Sequence, residues 1–197
     1  MVKLKISSHQ KQLIYGKLLG DGHLETTNNI TYRLKIEHSY VQKEYVDWLY
    51  KGIENLASNE PQEKTHLVKG KSYKKYWFNS HYSPSLRFYA QQFYQGKKKV
   101  VPKLVDRWLT PLVLAVWYMD DGSIKSKECR GRIINTQSFG DEDISRLRNS
   151  IQSKFGIDTI IRRQKEGKQI YIPAGEVEKF YQLIEKYVLP SMKYKLG

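Results

Sequence analysis

Two apolar segments of this 197-residue chain end in the same acidic corner. They run Leu13-Ile14-Tyr15-Gly16-Lys17-Leu18-Leu19-Gly20-Asp21-Gly22 and Leu112-Val113-Leu114-Ala115-Val116-Trp117-Tyr118-Met119-Asp120-Asp121-Gly122, and Asp21 and Asp121 stand 121 − 21 = 100 positions apart. A carboxylate at a helix C-terminus meets the negative end of the helix dipole, and two such carboxylates repel each other, so a cation is expected with them. Hard oxygen donors suit Mg²⁺, which takes one or two carboxylates and fills its other positions with water or phosphate oxygens. A single Asp-Gly pair could simply turn the chain out of a helix. Two copies with matching apolar lead-ins argue for shared chemistry and for a chain built as two similar halves.

The elements that must carry these acids are short helices. Ser7-Ser8-His9-Gln10 offers a capping box before the first, Thr110-Pro111 puts Pro at the first position of the second, and a Gly follows each acid as a stop. After each helix the pattern reads strand, strand, helix, strand, strand, helix. In Tyr32-Arg33-Leu34-Lys35-Ile36-Glu37, Tyr32, Leu34 and Ile36 share one face while Arg33, Lys35 and Glu37 share the other. One hundred positions on lies a second strand, Arg132 to Gln137, which sets Gln137 against Glu37. Lys64 to Lys71 and Ser72 to Ser80 form a hairpin turning at Gly70-Lys71. Ile157 to Arg163 and Gln169 to Ile172 form another, around Lys165-Glu166-Gly167-Lys168. The segments from Val41 to Tyr50 and from Asp141 to Phe155 read as amphipathic helices, with Tyr45, Trp48, Leu49, Ile144, Leu147 and Ile151 covering the sheets. The fold class is α+β, two pseudo-symmetric αββαββα half-domains with antiparallel sheets. The boundary falls at the basic connection Gly96 to Pro102, giving halves 1–100 and 101–197.

Thirty-four Lys and Arg against 20 Asp and Glu give a formal charge of +14, the footprint of a chain that covers nucleic-acid phosphates. No apolar run approaches the ~20 residues of a membrane span, and no signal peptide opens the chain, so no membrane partner is expected. The single Cys129 excludes an internal disulfide and fits a reducing intracellular compartment, either a prokaryotic cytoplasm or an organelle matrix. It lacks neighbouring Cys or His ligands, so structural zinc is not expected. His9, His23, His38, His66 and His81 show no ligand spacing, and Asp141-Glu142-Asp143 reads as a dipole match at a helix start. The strand residues Arg33, Lys35, Glu37, Lys74, Lys75, Arg130, Arg132, Asn135, Gln137, Arg162, Arg163, Lys168 and Gln169, with Lys98, are the candidate DNA contacts. Such side chains pair with base edges and phosphates, and a two-stranded ribbon fits a major groove.

The motif pair resembles the LAGLIDADG homing endonucleases in their single-chain, two-motif form. The signature lies on Ile14 to Gly22 and on Leu114 to Gly122, keeping Gly16 in the first copy and Leu114 and Ala115 in the second, and departing at Lys17, Leu19, Val116 and Met119. Thr110-Pro111, Asn135-Thr136-Gln137-Ser138-Phe139 and Leu189-Pro190 to Tyr194-Lys195-Leu196 extend the resemblance over most of the chain, nearest to the intron-encoded I-SceI type. The resemblance implies motif helices packed at the centre of a DNA-binding saddle. It implies metal-dependent hydrolysis of one phosphodiester per strand across a minor groove, leaving short 3′ overhangs. The metal, Mg²⁺ or Mn²⁺ in two or three ions in the DNA complex, would be held by Asp21, Asp121 and the backbone carbonyls of Gly20 and Asp120. Lys99 and Lys195 match the family's basic residues, with Lys98 as rival for the first. The implied partner is double-stranded DNA with a long target, bound as a monomer. An RNA maturase acting on intron RNA, or a non-cleaving DNA-binding regulator, is the alternative. Tyr118-Met119-Asp120-Asp121 also spells the metal box of reverse transcriptases, but that box occupies a hairpin turn, whereas here it closes an apolar helix.

Overall fold

The computed structural model describes residues 3–126 and 129–197. Tertiary packing divides the chain into two units, Met1–Ala90 and Gln91–Gly197. In the first, helix α1 (Ser8–Leu19) leads to strands β1 (His23–Glu25) and β2 (Arg33–Ser39), helix α2 (Lys43–Ile53), strands β3 (Gln62–Val68) and β4 (Lys71–Asn79) and helix α3 (Arg87–Phe93), which straddles the division. A short ribbon of β5 (Tyr94–Gln95) and β6 (Lys98–Lys99) and the single turn α4 (Val105–Trp108) open the second unit. It then repeats the plan with α5 (Pro111–Asp121), β7 (Gly122–Ser126), β8 (Cys129–Asn135), α6 (Asp141–Phe155), β9 (Ile160–Gln164), β10 (Gly167–Ile172) and α7 (Val177–Ile184). The sheets share one antiparallel order, β1-β2-β4-β3 and β7-β8-β10-β9.

The expected caps are present. Ser7 and Gln10 form a reciprocal capping box on α1, and Thr110 Oγ1 accepts from Val113 N at 3.3 Å with Pro111 at the first helical position. α2 lays Tyr45, Val46, Leu49 and Ile53 over the first sheet, whose covered face carries Leu34, Ile36 and Phe78. α6 covers the second sheet with Ile144, Leu147 and Ile151. Trp48, expected in the core, is only half-buried, stacked on Tyr45. In α5 every residue from Leu112 to Met119 is buried, the mark of a helix with no solvent face.

Several expected boundaries move. The first hairpin turns at Lys69-Gly70, one residue earlier than expected, because both adopt positive φ (48° and 76°) as a tight two-residue turn requires. The second turns at Lys165-Glu166, and Gly167 and Lys168 join β10. Strand β8 runs Cys129–Asn135, three residues ahead of the expected start, and ends before Gln137. The 100-residue register also breaks. His23 faces Lys35 across the first hairpin, whereas Ser123 faces Ile133, a separation of 12 (35 − 23) against 10 (133 − 123). The second hairpin is two residues shorter, and Asn135 rather than Gln137 is the counterpart of Glu37.

Candidate metal centre and nucleic-acid interface

In the first unit α1 closes at Gly20, whose N–H donates to Gly16 O at 3.1 Å, and the chain turns so that Gly22 N donates to Lys17 O at 2.8 Å. A Cβ on Gly22 would lie 2.8 Å from that carbonyl oxygen, so the tight return after Asp21 requires glycine. Asp21 is exposed. Its carboxylate lies 3.8 Å from Nδ1 of His38, a residue set aside in the sequence reading. Strand alternation turns His38 to the covered face with Leu34 and Ile36, where only 3% of its side chain is accessible. Lys17 Nζ donates to His38 Nε2 at 2.7 Å, and an ammonium has no lone pair to accept with. The imidazole proton therefore sits on Nδ1, which donates to Gln42 Oε1 at 3.0 Å. The signal that could have found His38 was its even spacing from Leu34 and Ile36, which buries it. Asp21, His38 and Gln42, with His23, Lys35, Glu37, Ser39 and Lys75, line a cleft of 340 Å³.

In the second unit α5 ends at Asp121, and Gly122 N–H caps Tyr118 O. A side chain on Gly122 would run into the Tyr118 ring. The negative helix end is met from the far end of the chain. Lys195 Nζ, nearly buried, donates to Met119 O at 2.5 Å and Asp120 O at 2.8 Å. Tyr118 Oη donates in turn to Lys195 O at 2.8 Å and its ring meets Phe180 edge to face, which fixes the approach of the lysine. Burial pushes the Tyr118 hydroxyl well above its ordinary range, so it stays a donor. Asn135 Nδ2 donates to Asp121 O at 3.0 Å. Met119, Asp120 and Asp121 thus all have their carbonyls met by donors, while the Asp120 and Asp121 side chains remain partly exposed. Because Asp120 and Asp121 close a helix, the polymerase-type hairpin is absent.

The open faces of the two sheets carry most of the candidate contacts. On the first, Glu37 is the hub. Lys75 Nζ donates to it at 2.6 Å, Lys64 pairs with its other oxygen, and Lys35 lies 3.8 Å away. Burial alone would raise the Glu37 carboxyl, but the Lys64 and Lys75 hydrogen bonds more than offset it and hold it down from 4.5 to about 2. Arg33 pairs with Glu25 at 2.7 Å. Lys74 departs from the expectation, since it alternates with Tyr76 and Phe78 to the other side of β4, where it is exposed and reaches Glu63 at 3.9 Å. On the second sheet Asn135 Oδ1 accepts from Gln169 Nε2 at 2.8 Å and Gln137 Nε2 at 3.3 Å. The Arg162 guanidinium, opposite Gln169, stacks 3.4 Å from the Tyr171 ring centre. Lys168 and its neighbour Arg163 depart from the expectation, since they alternate with Ile170 to the side that α6 covers, where Lys168 pairs with Asp141 at 2.5 Å; Arg163 and Arg130 are exposed. Arg132 departs from the expectation. It shares the covered face with Ile134, is buried, and gives its guanidinium to Leu196 O, to the carbonyls of Arg130 and Gly131, and to Tyr181. Parity along β8 decides this, and it removes Arg132 from the open face. Lys98 is exposed on β6, and Lys99 beside it is half-buried opposite Tyr94.

Fold and site define a duplicated αββαββα chain in which each half ends a buried helix in a carboxylate and spreads a basic or amide-rich open sheet. Residues 11–180 match the model of the LAGLIDADG DNA endonuclease family, and the chain belongs to that family. The cytochrome b mRNA maturase bI2 of Saccharomyces cerevisiae is 34% identical over 94% of this chain, which spans 46% of the maturase's length. DNA endonuclease I-ChuI of Chlamydomonas applanata is 30% identical over 98% of this chain and 97% of its own. Among solved structures, the homing endonuclease I-WcaI bound to its DNA recognition sequence is similar with a TM-score of 0.92 and 25% identity, over 98% of this chain and 88% of that one. Among the described residues no helix is long and apolar enough to cross a membrane.

Proposed function

We infer that this chain is a site-specific endonuclease that hydrolyses duplex DNA with a divalent metal, acting as a monomer on a long target. The observation that carries this reading is the acid that ends the motif helix in each half, repeated at the same place in the chain's two copies of the fold. Asp21 and Asp121, with the carbonyls of Gly20 and Asp120, would hold Mg²⁺ or Mn²⁺. The donor set fits such an ion, being hard oxygen at helix ends that already draw cations. When bound, the metal lowers the pKa of a coordinated water and offsets charge on the attacking and leaving oxygens. The Asp120 carbonyl accepts a hydrogen bond from Lys195 at 2.8 Å, which holds it at the end of α5. Lys195 and Lys99 supply positive charge for the phosphate as it gains negative charge in the transition state. Lys35, Lys75, Lys98, Arg130 and Arg162 cover phosphates or read base edges, and each half attends to one strand.

The test is incubation with a randomised duplex library and Mg²⁺, followed by sequencing of new ends. Defined double-strand ends that fall about a thousandfold with Asp121→Asn support the reading, since several kcal/mol of charge stabilisation at about 1.4 kcal/mol per decade give that loss. Retention of intron RNA without cutting would favour the maturase reading, which the 34% identity to bI2 supports.

A further inference from the structure

At matching ladder positions the two open faces carry different hydrogen-bonding chemistry. Glu37 stands opposite Trp77 in the first sheet and Asn135 stands opposite Gln169 in the second, so the two hubs are equivalent. The Glu37 carboxylate is occupied by Lys64 and Lys75, and each ammonium has three N–H donors and no acceptor. Lys75 gives one N–H to Glu37 and Lys64 is ion-paired with its other oxygen, so the further N–H groups of both are positioned by a carboxylate that is itself only 15% accessible. The Lys64–Glu37–Lys75 cluster thus turns only donors outward. The second is built from amides. Gln137 and Gln169 each donate one N–H to Asn135 Oδ1, and among the described residues each keeps its other N–H and its carbonyl oxygen for a partner. Asn135 is immobilised by its bond to Asp121 O, so both glutamines are anchored to the end of α5.

We propose that the two sheets select different bases: the Lys64–Glu37–Lys75 cluster selects guanine, and the Gln137–Asn135–Gln169 cluster selects adenine. The proposal rests on the reading that these faces lie against duplex DNA. In the major groove guanine presents two acceptors, N7 and O6, which suit a donor-only cluster. Adenine presents N7 as acceptor and N6–H₂ as donor, which suits an amide with one N–H and one carbonyl to offer. Adenine N6–H₂ set against an ammonium would be donor against donor, and guanine O6 set against the glutamine carbonyl would be acceptor against acceptor. Each face therefore rejects the other's base as well as accepting its own. Glu37 acts as a positioning residue, since its own oxygens are taken by lysines.

The test is retention of randomised duplexes by the full chain with divalent metal chelated, so that nothing is cut, and sequencing of what is held. Gln169→Lys is expected to change the preferred base at one position from adenine to guanine, and Gln169→Glu to change the same position to cytosine, each by roughly tenfold. Lys75→Gln is expected to weaken a guanine at a different position and leave the Gln169 position unchanged. The two Gln169 variants predict opposite bases at one half-exposed strand site, so a general loss of folding cannot imitate the result. Enrichment of a defined duplex whose bases do not respond to these variants overturns the proposal alone. No enrichment of any duplex overturns the DNA-binding reading, and the proposal with it.

Discussion

At the end of α1 the buried cation is Lys17, which rises from within the helix itself and is received by a neutral histidine on β2. At the end of α5 the cation is Lys195, which arrives from the chain's last segment and donates directly to the terminal carbonyls. The position in α5 that matches Lys17 is Trp117, fully buried and apolar. Both halves offset the negative pole of a buried helix beside an acid, yet they share no residue in doing so. The difference teaches that the repeat preserves an electrostatic requirement, while each half meets it with whatever side chain its own packing can hold.

The comparison can be broken most sharply at His38. His38→Leu leaves the Lys17 ammonium buried without its imidazole acceptor, and a loss of about 3 kcal/mol in chemical denaturation is expected. Lys17→Met combined with His38→Leu should recover most of it, because the buried ammonium that lost its imidazole acceptor is gone. A double variant no more stable than His38→Leu alone would mean that the histidine matters for packing and not for the lysine. In the second half Lys195→Met removes two charge-assisted hydrogen bonds at a helix C-terminus, with an expected cost of about 2 kcal/mol. Lys195→Arg should cost less, since it retains the charge.

The open faces differ in their response to acid. Glu37 is held at about 2 in the folded chain against an ordinary 4.5, so its contribution to stability is complete above pH 4.5 and is lost as pH falls through 2. Wild type should exceed Glu37→Gln by about 1 kcal/mol at neutral pH, and the gap should close over that acid window. Asn135 has no proton to gain there, so Asn135→Ala should show a pH-independent cost. The smallest contrast lies at the helix starts. Ser7→Ala removes half of a reciprocal box and Thr110→Ala a single cap bond, each about 1 kcal/mol in thermal unfolding, with Ser7 the larger.

The caps, the two acids and the order of elements were legible in the sequence because each is a local property. Ser7 with Gln10, Thr110 with Pro111, and the alternation of Leu34 and Ile36 declare themselves within a few residues. The span of α6 from Asp141 to Phe155 follows from its apolar spacing in the same way. What stayed hidden depends on parity and register across strands. Arg132 looked like one more basic strand residue until the two-residue shortening of its hairpin and the pleat of β8 turned it to the covered face. His38 looked solitary because its partner Lys17 lies 21 positions away on another element.

By itself the sequence determined that this protein has two acid-ended helices, a duplicated plan and a surface suited to nucleic acid, because composition, capping and apolar spacing act over short stretches of chain. Only the tertiary structure decided which cation meets each helix end and which residues stand as equivalents. Those outcomes are set by the hydrogen-bond register of distant strands and by the path of the C-terminal segment, which brings Lys195 to carbonyls 75 and 76 residues earlier in the chain.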